Sequence, residues 1–188
     1  MDKYLINHKR KSIEDQNENI SRKSYKKTNP DIKLANSLIF GNDSFRHLQE
    51  EIIETIMDDK SDVFVIMPTG GGKSLLYQLP ACLSKGVTIV ISPLLSLIEE
   101  QVSKLIQLPS GGVPSAFLTS SCKNSMIEDI FQDLERAKYD RTPYLKLLYT
   151  TPERIIKCQR TKEILKSLYL KEMLPRFVID EVIFYFAN

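Results

Sequence analysis

The chain has no tryptophan, and its 188 residues include only two histidines, three cysteines and seven glycines. The cysteines, Cys82, Cys122 and Cys158, are far apart and odd in number, with no Cys-x-x-Cys pair. That spacing argues against a zinc site or a disulfide frame and for reduced thiols in a cytosolic or nuclear protein. No apolar run approaches the roughly 18 residues of a membrane span. Met1 to Lys11 is charged and lacks an apolar stretch, which argues against a secretory signal. Because glycine is scarce, its clustering is informative: three of the seven are consecutive, Gly70, Gly71 and Gly72.

What is present is an ordinary globular composition, 42% hydrophobic and 27% charged. The length suits one domain with a tail, and roughly 150 residues suffice to bury about two-thirds of their unfolded surface. The formal charge is +2, unevenly placed. Residues 1–30 hold eight Lys/Arg against four Asp/Glu, a net of +4, which leaves −2 for the remainder. Any nucleic-acid contact on the folded part must therefore be local. Residues 1–30 have little apolar content and are expected to be disordered. Their basic clusters, Lys9-Arg10-Lys11 and Arg22-Lys23 with Lys26-Lys27, read as a nuclear signal or phosphate-binding arm, or as a solvated tail.

Strand-like and helix-like segments alternate from about residue 45. The spacing of Leu48, Ile52, Ile53 and Ile56 predicts an amphipathic helix over 45–57. Short apolar runs predict strands at 62–67, 87–92, 116–118, 144–149 and 177–180. Between them, helices are predicted at 72–83, 95–108 and 126–138, and one or two at 153–171. This alternation predicts a parallel sheet covered on both faces, a doubly wound α/β domain that binds ligands at the carboxyl ends of its strands.

The sharpest local signal is Met67-Pro68-Thr69-Gly70-Gly71-Gly72-Lys73-Ser74, a P-loop spacing with Met67 where the general pattern has its first glycine. The glycines let backbone N–H groups approach an anion closely, and the next helix presents its positive end to it. Lys73 is placed to neutralise the β- and γ-phosphates, and the Ser74 hydroxyl to ligate Mg²⁺. The alternative is a glycine-rich strand-to-helix turn. A P-loop needs an acidic partner at the end of another buried strand, and Val178-Ile179-Asp180-Glu181 fits. Asp180 would hold Mg²⁺ and Glu181 would activate the attacking water. The alternative there is a strand that merely ends in two carboxylates.

The P-loop followed by Leu75-Leu76-Tyr77-Gln78-Leu79-Pro80-Ala81 resembles the RecQ helicases, a branch of helicase superfamily two. The resemblance runs from about Phe40 to Val182 in several ordered motifs. It implies a RecA-like P-loop NTPase domain of the DEAD/DEAH type and an ATP- and Mg²⁺-dependent helicase moving 3′ to 5′ on single-stranded or forked DNA. A nuclear setting in DNA repair and recombination goes with it if the source is eukaryotic, and a cytoplasmic one otherwise. Phe40-Gly41 and Phe45-Arg46-His47-Leu48-Gln49 resemble the family's adenine-gripping motif. By that likeness Arg46 stacks on the base and Gln49 hydrogen-bonds its edge, with Asn42 standing where some relatives carry an aromatic. On the residues alone, Gln49 reads as a surface position. Ile91 to Leu97, with Ser92 and Pro93, resembles motif Ia. Thr151-Pro152-Glu153-Arg154 resembles motif Ib. The resemblance implies that both hold the backbone of single-stranded DNA, with Ser120 and Ser121 as weaker additions. Helix capping by Ser92 and Thr151 is the plainer reading.

The family's second ATPase motif reads Asp-Glu-x-His, whereas here Asp180-Glu181-Val182 is followed by Ile183. An Ile cannot hydrogen-bond across the cleft. The expectation is a domain over 31–182 followed by an aberrant apolar tail, 183–188, with the second motor domain and its arginine finger absent. Such a polypeptide would bind ATP, hydrolyse it poorly and not unwind DNA, because arginine fingers contribute about 10³-fold or more in rate. A fragmentary gene model, an unspliced intron or a degraded paralogue would each account for it. The runner-up is a catalytically inactive ATP- and nucleic-acid-binding protein. A small kinase or GTPase fits poorly, since the adenine-gripping segment lies upstream of the P-loop.

Overall fold

The computed structural model describes residues 31–58, 60–68 and 70–180. The expectations for the tail 1–30, Thr69, Glu181, Ile183 and the 183–188 segment lie outside the described residues.

Helix α1 (Ile32–Phe40) opens the described fold, and the periodicity reading did not anticipate it. Its signals are its ends. The Asp31 carboxylate accepts from the N–H groups of Lys33 and Leu34, both at 3.0 Å. Gly41 closes the helix in the left-handed conformation, its N–H on Ser37 O. Asn42 is engaged locally, its side chain donating to Asn36 Oδ1 at 2.9 Å.

Helix α2 (Gln49–Asp58) begins four residues later than the amphipathic pattern suggested. Leu48 stands at φ 64°, which no α-helix permits. That conformation costs roughly 1–2 kcal/mol for a residue with a Cβ. The turn it makes, with Gln49 N–H on Arg46 O at 3.0 Å, aims Arg46 and Gln49 at the next segment.

Four strands follow: β1 (Thr88–Ile91), β2 (Ser115–Leu118), β3 (Leu147–Thr150) and β4 (Phe177–Ile179). They form one parallel sheet in the order β2-β3-β1-β4. Between them lie α3 (Leu75–Leu83), α4 (Leu95–Ile106), α5 (Asn124–Leu134), α6 (Pro152–Lys157) and α7 (Gln159–Leu170). A tight 3₁₀ turn, Glu135–Tyr139, finishes what the pattern read as one longer helix over 126–138. The 153–171 segment divides at Cys158, whose extended backbone ends α6 and starts α7.

Alternation along the strands sorts the core onto two faces. Ile89, Leu118 and Leu148 pack with Ile130, Phe131 and Leu134 of α5 and with Ile164, Leu165 and Leu168 of α7. Val90, Leu147 and Tyr149 pack with Tyr77 and Ala81 of α3 and with Ile98, Val102 and Leu105 of α4. A third cluster joins Ile32, Ile52, Ile53, Leu76 and Leu79 across the first three helices. The expected α/β sheet with helices on both faces is therefore what forms.

The expected strand at 62–67 does not. Val63, Val65 and Met67 rest against the third cluster, while Phe64 and Ile66 are more than half exposed. The alternation of a strand is there, but a strand needs a ladder, and none of the described strands pairs with this segment. Likewise β4 has β1 on one side and no described strand on the other, leaving Phe177 and Ile179 exposed. Cys82, Cys122 and Cys158 are free thiols, as expected. No described helix is long and apolar enough to cross a membrane.

Candidate functional site at the carboxyl edge of the sheet

The glycine loop is shaped by the segment before it. Gly71 N–H donates to Pro68 O at 3.0 Å, closing the turn. Gly72 takes φ 83°, and a Cβ there would stand 2.4 Å from Gln49 Nε2, so the position admits only glycine without displacing that amide. Arg46 Nη1 donates to Gly70 O at 2.7 Å, and Gln49 Nε2 donates to Gly72 O at 3.1 Å. Gln49 Oε1 in turn accepts from Arg46 N–H at 2.8 Å. Gln49 is 2% exposed, so the surface-position reading is corrected. The reason is the Leu48 turn, which swings its side chain inward under the loop.

Beyond the loop, half-buried Lys73 leads into α3, and Ser74 stands at its N-terminal boundary. The Ser74 side chain does not cap α3, whose positive end follows the glycine loop. Ser74 Oγ accepts from Gln101 Nε2 of α4 at 3.0 Å. Gln101 Oε1 accepts from Gln78 Nε2 at 3.0 Å, and the same Gln78 amide donates to the Tyr149 hydroxyl at 3.2 Å. On the other side of α3, the Tyr77 hydroxyl donates to Asp180 Oδ2 at 2.9 Å. Asp180 is held through its backbone too, its N–H on Ile91 O at 2.9 Å.

Thus Arg46, Gln49, Gly70, Gly71, Gly72, Ser74 and Asp180, distant in sequence, belong to one bonded assembly. Tyr77, Gln78, Gln101 and Tyr149 complete it, and no role was assigned to them from sequence. Two polar residues, Tyr77 and Gln78, interrupting the apolar α3 were the available signal. Burial pushes the Tyr149 phenol up to about 12. Burial pushes the Tyr77 phenol up further still, with Tyr149 and the Asp180 carboxylate adding to the effect. Both hydroxyls remain protonated donors at any ordinary pH. The rings meet edge to face, centroids 6.5 Å apart.

The donor set fits a magnesium nucleotide better than a bare metal. Among the described residues no cluster of three or more His, Cys, Asp or Glu side chains could hold a cation alone. A hydroxyl and one carboxylate beside an anion cradle is the arrangement in which phosphate oxygens and water supply the remaining ligands. A cavity of about 220 Å³ lies beside the loop, lined by Arg46, His47, Leu48, Met67, Pro68 and Gly71 among others.

The second group of predicted residues lies where β1 and β3 end. Ile91 and Thr150 are register partners, so Ser92 and Thr151 follow side by side. Ser92 is 2% exposed, and its Oγ has no hydrogen-bond partner among the described residues. It does not cap α4. That boundary falls at Leu94, without a side-chain bond, because Pro93 and Leu94 intervene. Thr151 does cap, its Oγ1 accepting from Arg154 N–H at 3.3 Å with Pro152 in the first turn. Glu153 is exposed and Arg154 half-buried, with Nε lacking a partner among the described residues. Ser120 and Ser121 are exposed just past β2.

Residues 46–183 match the sequence model of the DEAD/DEAH box helicase family. The chain is 46% identical over 152 residues to ATP-dependent DNA helicase Q-like 4B of Arabidopsis thaliana, covering 80% of this chain and 12% of that protein. It is 45% identical over 142 residues to RecQ-like DNA helicase BLM of Xenopus laevis, covering 76% and 10%. It is 44% identical over 144 residues to ATP-dependent DNA helicase Q5 of Rattus norvegicus, covering 76% and 14%. The chain therefore spans between 10% and 14% of the length of these relatives.

Proposed function

Since this chain belongs to the DEAD/DEAH box helicase family, we propose that it carries the ATP-binding first motor domain of a RecQ-type, 3′-to-5′ DNA helicase, with residues 31–182 as the RecA-like unit. One observation supports this above the others. The glycine loop is gripped by Arg46 and Gln49 on one side, while α3, which follows it, reaches Asp180 through Tyr77.

In this reading Lys73 neutralises the terminal phosphates. Ser74 and Asp180 hold Mg²⁺, and Glu181 orients the attacking water. A magnesium ion held there would supply charge neutralisation to the phosphates. Arg46 covers the adenine face beside the cavity, and Gln49 reads the base edge. Each end of the Gln49 amide has one protein partner, which fixes the side chain against the loop and leaves one N–H and one lone pair for adenine. Coupling base recognition to the loop conformation in this way favours ATP over nucleotides with other bases.

Ser92, Pro93, Thr151, Pro152, Glu153 and Arg154 form the track for a single-stranded DNA backbone. Support comes from their placement side by side and from the unpartnered polar atoms of Ser92 and Arg154. A nuclear role in DNA repair and recombination accords with this chemistry. Ile183 in place of the family His favours a second reading, in which ATP and DNA are bound but hydrolysis is weak.

Equilibrium binding of ATP and GTP to the full chain, with Mg²⁺, tests the nucleotide site. ATP should bind more tightly than GTP, and Lys73→Ala should weaken ATP at least about tenfold. Equal binding of both nucleotides, or an unaffected Lys73→Ala variant, would reject it.

A further inference from the structure

The family motifs account for Ser74 and Asp180 but not for what aims them. We propose that Gln101 is a positioning residue for the nucleotide's divalent cation, setting the Ser74 hydroxyl in the orientation that ligates it. This rests on the nucleotide reading above and deepens it.

A serine hydroxyl is a free rotor with one donor and two acceptor sites. In isolation nothing decides which faces the cation. Here Gln101 Nε2–H occupies one lone pair of Ser74 Oγ at 3.0 Å. The Ser74 hydrogen is thereby turned away from Gln101, and one lone pair remains for a metal. With the Gln101 amide turned the other way, its oxygen would take the Ser74 hydrogen and still leave lone pairs of Oγ for a metal. Gln78 donates to Gln101 Oε1 at 3.0 Å, which holds the Gln101 side chain within reach of Ser74. Gln78 is 7% exposed, and its second N–H donates to the Tyr149 hydroxyl at 3.2 Å. Tyr149 is 1% exposed, packed on the sheet face. A chain of hydrogen bonds thus runs from a rigid core tyrosine to the hydroxyl at the start of α3 and holds the Ser74 rotor.

Gln101 bonds to Ser74 and Gln78 and, among the described residues, makes no hydrogen bond to the glycine loop, Arg46 or Gln49. Its loss should therefore be felt only by the cation-dependent part of nucleotide affinity, whereas a residue that merely supports the fold would weaken binding with and without metal alike. Gln101→Met keeps length and apolar packing but removes both amide groups. ATP binding to the full chain is measured by equilibrium dialysis, once with excess Mg²⁺ and once with EDTA, for wild type, Gln101→Met, Ser74→Ala and the double variant.

The expected result is a drop of about fivefold to tenfold in Mg²⁺-ATP affinity for Gln101→Met, with less than about a twofold change in EDTA. In the Ser74→Ala background the same substitution should have no further effect on Mg²⁺-ATP, because the hydroxyl it aims is gone. Equal losses with and without Mg²⁺, no loss at all, or a full loss persisting in the Ser74→Ala background would each overturn the proposal. A wild-type chain that binds no ATP under either condition would instead overturn the nucleotide reading on which it rests.

Discussion

The Tyr77 hydroxyl donates to Asp180 Oδ2 at 2.9 Å, joining two residues 103 positions apart. Tyr77 belongs to the helix that follows the glycine loop, and Asp180 ends the edge strand. One bond therefore ties the helix after the glycine loop to the carboxylate that follows β4. Tyr77→Phe keeps the ring packed and deletes only this donor. It should cost about 1.5–3 kcal/mol, the usual range for a hydrogen bond to a charged partner. Urea unfolding of wild type and variant gives the number, and a cost near zero would mean that solvent replaces the bond.

Alkaline pH should loosen the fold through the same pair of tyrosines. The Tyr149 phenol is raised to about 12 in the folded chain, and that of Tyr77 is raised further, against about 10 when unfolded. A raised folded value means that the stabilisation is fully present below about pH 10 and is lost as pH climbs toward the folded values. The loss should approach about 1.4 kcal/mol per pH unit for each phenol. Denaturation midpoints between pH 9 and 12 test this, and Tyr149→Phe should flatten the decline. An unchanged slope in that variant would assign the effect to other groups.

Gly72→Ala should damage both folding and binding. The backbone stands at φ 83°, and the added methyl meets Gln49 Nε2. The left-handed conformation alone costs roughly 1–2 kcal/mol. Because part of the penalty is the clash, Gly72→Ala with Gln49→Ala should recover some stability without recovering ATP affinity. Thermal melts and ATP binding on the two variants separate the contributions. A double variant no more stable than the single one would show that backbone strain is the whole cost.

The three thiols should react at very different rates. Cys82 is pushed up to about 11 by burial. Cys158 is lowered, first by the neighbouring Thr161 hydroxyl and also by backbone N–H groups where α7 starts and by Arg154. Iodoacetamide near pH 7.5, followed by peptide mass spectrometry, should label Cys158 well before Cys82. A Cys158→Ser chain should lose the fast phase. Comparable rates at both sites would contradict the electrostatic argument.

Much of this molecule was legible in its residues because the signals were local. Gly70 to Ser74 announces a tight turn into a helix, since glycine takes the positive φ of Gly70 and Gly72 without strain. The runs at 87–92 and 144–149 announce buried strands because both faces of a parallel sheet are covered. Thr151 and Pro152 announce a helix start, and that start is where they sit. What local signals missed was set by distant partners. The run at 62–67 has the alternation of a strand but no ladder among the described residues, and pairing is a property of two segments. Gln49 reads as a surface glutamine until the left-handed Leu48 turns it beneath the loop. Gln101 sits in an exposed-looking run, Glu99-Glu100-Gln101, and only the packing of α4 beside α3 brings its amide to Ser74. The sequence by itself determined which chemical groups this protein carries and in what order, because spacing and turn chemistry are written along the chain. Which of those groups touch, Tyr77 with Asp180 and Gln101 with Ser74 among them, was decided only when the sheet and its helices packed.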